Sequence, residues 1–258
     1  MSSPTRSAVR AAIATALLPL AALACHHFNP HSYPAPADLL RASLRELRAG
    51  RYDRAQQGFQ ALTFNIGTRD TLYPLARYYL AESYFGQQDY ASAAREFRRV
   101  SDETPTFRLA PDALLGAGDA YEAQWANTAL DPTSGQTALA TWQELQGRFP
   151  DSPAARIAAV RMRALNERFA SKEMNNALFY YQRSAYDSAI LYFKDLIASY
   201  PSSALVPEAY VYLVRSYRAI GWKDEQGAFC DQLRTYYAAF FSQRADVRDL
   251  CGDRAAGR

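Results

Sequence analysis

The side chains best suited to bind a metal ion are three histidines near the amino terminus. His26, His27 and His31 carry imidazoles, which are common zinc ligands. They lie in residues 26–36, a proline-rich segment without apolar periodicity. Such a segment favours extended, flexible conformations that do not hold three rings together. We therefore expect a flexible tether with incidental histidines and no metal site.

The acidic side chains do not suggest catalysis either. Glu82, Asp119 and Glu122 fall in helical patterns without a recognisable arrangement of partners, and no glycine-rich phosphate loop or paired metal-ligand motif occurs. An enzyme needs a convergent set of reactive groups. We expect no catalytic residue, no cofactor and a protein that is not an enzyme.

Residues 1–24 are typical of a secretory signal peptide. Arg6 and Arg10 form a positive start, residues 11–23 form an apolar run of 13, and small residues precede Cys25. A membrane-spanning helix needs about 20 apolar residues. The run therefore predicts export and cleavage, not a membrane span.

Cys25 has two possible fates. The run from Ala22 to Cys25 resembles a bacterial lipobox, which predicts lipid on Cys25 and a lipid-anchored tether over residues 25–35. Lipoboxes prefer leucine where Ala22 stands and a small residue where Leu23 stands. The same run also satisfies the small-x-small rule of ordinary signal peptidase, which would release a soluble periplasmic protein. Lipidation of Cys25 is the favoured prediction.

The other two cysteines, Cys230 and Cys251, would meet an oxidising environment after export, where disulfides persist. Cys230 lies in a helical pattern, whereas Cys251 lies in residues 242–258, a charged tail that we expect to fray. Two free thiols, with Cys230 as a small core residue, are favoured over a bridge.

The charge argues against a nucleic-acid partner. The formal net charge is +3, and loss of Arg6 and Arg10 with the signal leaves 3 − 2 = +1. Nucleic-acid binders normally concentrate basic residues in a stripe. The sequence contains no such stripe.

A recurring pattern of Tyr-x-x-Ala-x-x-x-Phe-x-x-Leu organises the chain after the tether. Spacings of three and four residues place its members on one helical stripe, where a small alanine lets a neighbouring helix approach and the ring fills the space beyond. The alanines of the four copies are Ala55, Ala93, Ala138 and Ala189.

The flanking residues identify the repeat. Three copies have a small residue and a tyrosine upstream, and a proline 12 residues after the alanine: Pro105, Pro150 and Pro201. This is the tetratricopeptide pattern. We predict an all-α tetratricopeptide-repeat solenoid over residues 36–241, with about five repeats and about ten helices. One long shared helix, near 153–183, is expected to join two repeat groups.

Several segments in this order resemble the BamD family of outer-membrane lipoproteins. The resemblance covers about residues 36–240. It rests on an inserted loop, a proline-marked turn, a long helix and a Tyr-Pro-Ser turn, at 130–132, 148–152, 168–181 and 186–202.

The resemblance implies a scaffold of the β-barrel assembly machinery, lipid-anchored on the periplasmic face of the outer membrane. Its C-terminal repeats would bind the POTRA domains of a BamA-like barrel protein, beside other lipoproteins of the machinery. Its N-terminal repeats would contact unfolded outer-membrane proteins. A periplasmic tetratricopeptide adaptor of the cell-division coordinator type is the alternative.

Four residues outside the core stripe are candidates for partner binding: Arg77, Tyr78, Arg98 and Arg99. Exposed arginines and tyrosines could clamp an extended peptide through its carboxylate or an aromatic side chain. For any single one of them, a solvated helix face is the simpler interpretation.

Overall fold

The computed structural model describes residues 28–127 and 131–252. These residues form twelve α-helices and one short 3-10 turn, with no strand among them. This confirms the predicted helical repeat fold. The chain divides into two compact units between Gln88 and Asp89.

The first unit contains the 3-10 turn and three helices. The turn is Pro30–Ser32, followed by α1 (Pro36–Arg48), α2 (Tyr52–Asn65) and α3 (Tyr73–Gly86). Proline near the first position favours the starts of α1 and α3, because proline fixes φ and that amide would have no helical partner. Gly50 adopts φ +69° between α1 and α2, a conformation that glycine reaches without steric cost.

The second unit contains nine described helices, each packed against the next along the chain. They are α4 (Tyr90–Glu103), α5 (Ala110–Gln124), α6 (Thr133–Arg148), α7 (Pro153–Gln182), α8 (Tyr186–Ser199), α9 (Val206–Ala219), α10 (Lys223–Tyr236), α11 (Ala238–Gln243) and α12 (Ala245–Cys251).

The predicted stripes form the cores of both units. All four alanines of the repeat are fully buried. The rings that follow them are also buried at 0–2% exposure: Phe59, Phe97, Trp142 and Phe193. Burying one such side chain contributes roughly 1.5–3 kcal/mol. The repeat pattern is therefore a packing pattern, as the sequence indicates.

The predicted long helix is α7, 30 residues from Pro153 to Gln182. The Ser152 hydroxyl caps its start by accepting a hydrogen bond from the Ala155 amide at 3.0 Å. At 1.5 Å per residue the helix extends about 45 Å. The part up to Phe169 contributes Leu165 and Phe169 to one hydrophobic cluster, and the part from Ala170 on contributes Ala170 and Ala177 to another.

The predicted inserted loop follows α5, and its residues 128–130 lie outside the described part of the chain. Trp125, the residue that directly follows α5 and precedes this loop, is only 2% exposed and stacks on Phe169 with ring centroids 4.6 Å apart. A side chain at Gly135 would collide with the Trp125 ring. This explains why glycine stands at 135, where the repeat elsewhere has tyrosine.

The amino-terminal segment differs from the predicted flexible tether. Residues 1–27, which include the predicted signal peptide and Cys25, lie outside the described residues. Phe28, however, is 6% exposed and its ring lies beside Gly58 and Tyr33. The tether prediction is therefore wrong for residues 28–33, because one aromatic side chain holds the segment on the first unit.

The predicted frayed tail is also wrong over residues 245–251, which form α12. Val247 and Leu250 of this helix are buried in the cluster around α9 and α10. The preference for free thiols is wrong as well, because Cys230 and Cys251 form a disulfide with Cα atoms 5.6 Å apart. The bridge and the apolar contacts together fold α12 back onto the preceding repeat.

Candidate partner-binding surfaces

Arg77 and Tyr78 are neighbours on α3, but only Tyr78 is partly accessible. Arg77 is 6% exposed, and its guanidinium lies 4.8 Å from the centre of the Tyr73 ring while donating to the Tyr73 hydroxyl. The expected exposure of Arg77 is therefore wrong. A cation over an aromatic face is attracted by the ring quadrupole, which explains how this charge is accommodated in a buried position.

Tyr78 lies in a small polar and aromatic group on the same helix. Its ring contacts Tyr79 edge-on at 5.4 Å between centroids. Burial raises the pKa of Glu82, and the hydrogen bond from the Tyr78 hydroxyl partly offsets that rise. Glu82 is thus a half-buried carboxylate that is costly to ionise, one helical turn from a candidate partner-binding residue.

Glu82→Gln is expected to stabilise the protein at pH 7. Burial holds the pKa of Glu82 in the folded state above its usual value of about 4.5. The stability that protonation of Glu82 provides is therefore full below pH 4.5 and is lost as pH rises through the raised pKa. The amide keeps an acceptor for Tyr78 without the charge. Melting temperatures should therefore separate at pH 7 and converge at pH 4. A variant less stable than the wild type at pH 7 would contradict this.

Arg98 belongs to an ion-pair network between α4 and α6. It contacts Glu144 at 2.9 Å, and Arg148 reaches both Glu144 at 2.7 Å and Asp102 at 2.9 Å. Burial opposes ionisation of Glu144, but hydrogen bonds from Arg148 and Arg98 outweigh it, so the pKa of Glu144 is lowered. The network therefore joins two repeats of the second unit.

Arg99 is the more accessible of the two α4 arginines. Its guanidinium contacts Glu103 at 3.1 Å and Glu96 at 3.6 Å, and its side chain is 48% exposed. Exposed pairs of this kind contribute little to stability. Arg99 can exchange these contacts for a partner's carboxylate at small cost.

The four candidates are two pairs of sequence neighbours, one pair in each unit. Arg77 and Tyr78 belong to the first unit, whereas Arg98 and Arg99 belong to the second. The part of all four in binding stays a prediction, and the Arg99 side chain, 48% exposed, is more accessible than that of Arg98 at 32%.

The carboxylates of α5 are occupied by arginines of α7. Asp119 pairs with Arg161, and Glu122 pairs with Arg168 at 2.8 Å. Burial lowers the pKa of Arg161. Spacings of three residues on α5 and seven on α7 align the two pairs along the crossing of these helices, so both act as structural contacts.

A groove near the carboxyl terminus is absent from the sequence-based candidates. It has a volume of about 750 Å³ and is lined by residues of α7, α9 and α12: Tyr181, Arg215, Arg218, Ala219, Asp246, Asp249 and Leu250. The groove exists because α12 folds back beside α9. The sequence does show two arginines three residues apart on α9, Arg215 and Arg218. They indicate a binding groove only once α12 is known to fold back beside α9.

The wall of this C-terminal groove is organised by charge. Asp246 accepts from Arg244 at 2.8 Å and from Arg215 at 3.1 Å, and Arg244 also reaches Glu208 at 3.0 Å. The hydrogen bond from Arg244 is the main reason that the pKa of Asp246 falls to about 2. Arg218 is exposed and forms no ion pair with another described residue. It is the arginine most available to an incoming acidic group.

The described residues offer neither a cluster of metal ligands nor a helix able to span a membrane. His31 is exposed in the 3-10 turn, and the other histidines lie outside the described residues. Residues 28–127 and 131–252 contain no group of three or more histidine, cysteine or carboxylate side chains able to hold a metal ion. In the same ranges, no helix combines the length and apolar character that crossing a bilayer requires.

Comparison with known proteins identifies the family. Residues 34–230 match the family model YfiO, described as an outer membrane lipoprotein. Among curated proteins, the outer membrane protein assembly factor BamD of Vibrio cholerae is 26% identical over 205 residues, covering 73% of this chain and 82% of the relative. BamD of Neisseria meningitidis serogroup A is 27% identical over 190 residues, covering 68% and 69%.

A solved tetratricopeptide-repeat protein of Thermus thermophilus is 19% identical, with a TM-score of 0.38 over 84% of this chain and 98% of that one. The family match spans both units, from the first residues before α1 to the middle of α10. The chain belongs to the YfiO family of outer membrane lipoproteins, the family of the assembly factor BamD.

Proposed function

We propose that this protein is a non-catalytic lipoprotein scaffold that assists the insertion of outer membrane proteins. The observation that carries the proposal is the family match across residues 34–230, together with relatives named as assembly factors. A helical repeat fold suits this role, because stacked helices offer a long surface over which binding energy is distributed.

The proposed principal partner is a BamA-like barrel protein, bound through its POTRA domains at the C-terminal repeats. The C-terminal groove supports this assignment, since its lining includes a tyrosine and two arginines. Aromatic and arginine side chains are enriched among the residues that dominate binding energies. Unfolded outer membrane proteins would contact the N-terminal repeats, with Tyr78 and Arg99 as candidate contacts.

The proposed location is the periplasmic face of the outer membrane, with lipid on Cys25. The lipobox-like run before Cys25 and the family description support this anchor. Attachment of the scaffold to the membrane would raise its effective concentration beside membrane-bound partners. Other lipoproteins of the assembly machinery are further proposed partners.

Arg218→Glu is expected to weaken capture of the BamA homologue about tenfold, because it reverses the most available charge of the C-terminal groove. The measurement is affinity capture from detergent-solubilised membranes with quantitative mass spectrometry. Arg108→Glu is the matched control: Arg108 is exposed in the same unit and forms no ion pair with another described residue.

Capture of no BamA homologue by the wild type would remove the proposed partner. Equal loss in both variants would remove the groove assignment alone. Mass spectrometry of the captured protein also tests the anchor, since an unmodified residue at the mature amino terminus would exclude lipid on Cys25.

A further inference from the structure

The turn between α1 and α2 carries the densest positive charge of the first unit. We propose that this turn, residues 45–54, binds the anionic phospholipid surface beside the lipid anchor and so fixes which face of the first unit lies on the membrane. The inference rests on the proposed lipidation of Cys25. Residues 45–54 contain four arginines and two acidic residues, 4 − 2 = +2.

Two of these arginines are available to a ligand. Arg45 and Arg48 are exposed on the last turn of α1, and neither forms an ion pair with another described residue. Glu46, between them in sequence, is already held by Arg51 at 2.5 and 3.0 Å. The hydrogen bond from Arg51 lowers the pKa of Glu46. Arg54 also lies 3.9 Å from this carboxylate, so Arg45 and Arg48 are the two arginines of the turn that form no ion pair with another described residue.

The turn also presents an amphipathic ring. Tyr52 is 37% exposed, and its ring packs over Gly86 with no room for a side chain there. An open groove of about 500 Å³ lies beside it, lined by Gly50, Arg51, Tyr52, Asp53, Arg54 and Gln87. Tyrosine with surrounding arginines is the combination that favours the headgroup region of a bilayer.

The packed position of Phe28 places the anchor close to this turn. The Phe28 ring lies beside Gly58 and Ser43, halfway along the α1–α2 hairpin. Ser43 is seven residues beyond Pro36, or about 10 Å along the helix. Residues 28–35 therefore run back along α1 from its first residue towards its last turn.

The chain then limits how far the lipid can be from the arginines. Two residues, His26 and His27, separate Cys25 from Phe28, so three Cα–Cα steps join them and span at most about 11 Å. Arg48 lies five residues beyond Ser43, about 8 Å along the axis. The acyl chains and the basic turn would thus meet the same patch of membrane. At the opposite end of α1, Asp38 and Arg41 neutralise each other.

The physical role of the turn is orientation. An acyl anchor fixes one point and leaves the protein free to rotate about it. A basic patch near anionic headgroups adds a second, salt-sensitive contact. Two contacts a short distance apart define which surface of the first unit faces the bilayer.

The test is flotation of the mature chain with Cys25→Ser on vesicles of phosphatidylethanolamine with 25% phosphatidylglycerol, compared with pure phosphatidylcholine (~25% being an anionic fraction on the order of that in charged leaflets). We expect binding to the anionic vesicles alone, reduced by high salt. Arg45→Glu with Arg48→Glu should lower it at least about tenfold. Arg69→Glu with Arg108→Glu is the control of equal charge change, at exposed arginines elsewhere.

Binding that is absent, indifferent to lipid charge, or equally reduced in both double variants would overturn the proposal. Circular dichroism checks that both variants fold, which is expected because all four positions are exposed. The use of a lipid-free chain separates this result from the proposed function. Lipidation of Cys25 and capture of the BamA homologue are measured in a separate experiment. The proposed membrane contact of the turn can therefore fail while the proposed function stands, and the reverse.

Discussion

Trp142→Ala is expected to lower the free energy of unfolding by about 3–5 kcal/mol, the largest effect of any single substitution considered. The indole is 0% exposed and its nitrogen donates to the Leu115 carbonyl at 3.3 Å. Gly118 gives the ring its space, since a side chain there would collide with it. Truncation to alanine would leave a cavity, and the Leu115 carbonyl would lose the hydrogen bond from the indole.

Urea unfolding followed by circular dichroism measures this loss. Trp222→Ala is the matched control, because Trp222 is 52% exposed and only stacks on Tyr217 at 6.0 Å between centroids. The control should cost less than about 1 kcal/mol. Similar losses in both variants would mean that the Trp142 site collapses around the smaller side chain.

Cys251→Ser is expected to cost about 3 kcal/mol and to release α12. The bridge to Cys230 closes a segment of 21 residues, and the chain-entropy relation gives about 3 kcal/mol for such a loop. Without it, α12 depends on two buried apolar side chains and a few polar contacts, among them Gln226 to the Leu250 carbonyl at 3.1 Å. Limited proteolysis should then cut the chain after α11.

A reducing agent offers an internal control for this prediction. It should lower the melting temperature of the wild type to that of the Cys251→Ser variant and leave the variant unchanged. Resistance of the reduced wild type to both heat and proteolysis would show that apolar contacts alone hold α12, contrary to the expectation.

The repeats were predictable because they depend on local spacing. Alanine, an aromatic ring and a following proline fix both the buried face and the end of each helical pair. The prediction of 153–183 for the long helix differs from Pro153–Gln182 by one residue. Ser152 and Pro153 define its start through capping, which is again a property of neighbouring residues.

Features that depend on single contacts were not predictable. Phe28 has no periodic companions, so nothing in its neighbourhood shows that it packs beside Gly58. Arg77 falls outside the apolar stripe, yet the Tyr73 ring one turn earlier accommodates its guanidinium. Periodicity describes which face a residue occupies, but it does not describe the partner that a polar side chain finds there.

The disulfide and the C-terminal groove were missed for a different reason. Both require the chain to reverse between α10 and α12, through the short helix α11. The repeat domain was predicted to run to residue 241 with a frayed tail after it, whereas α10 ends at Tyr236 and the short helices α11 and α12 follow. The residues that then meet, Cys230 with Cys251 and Arg215 with Asp246, are more than 20 positions apart, so no local spacing predicts their contact.

The thirty-residue helix α7 has a consequence for how the second unit comes apart. The parts up to Phe169 and from Ala170 on are embedded in separate hydrophobic clusters, one containing Trp142 and the other containing Phe193. If either cluster unfolds, α7 loses the apolar contacts along that part of its length. The other cluster then packs against a helix that is itself less stable. Repeat arrays usually tolerate piecemeal melting because neighbours meet only at interfaces. Here both clusters share α7, so unfolding of one destabilises the other, and the two should melt together as one cooperative block.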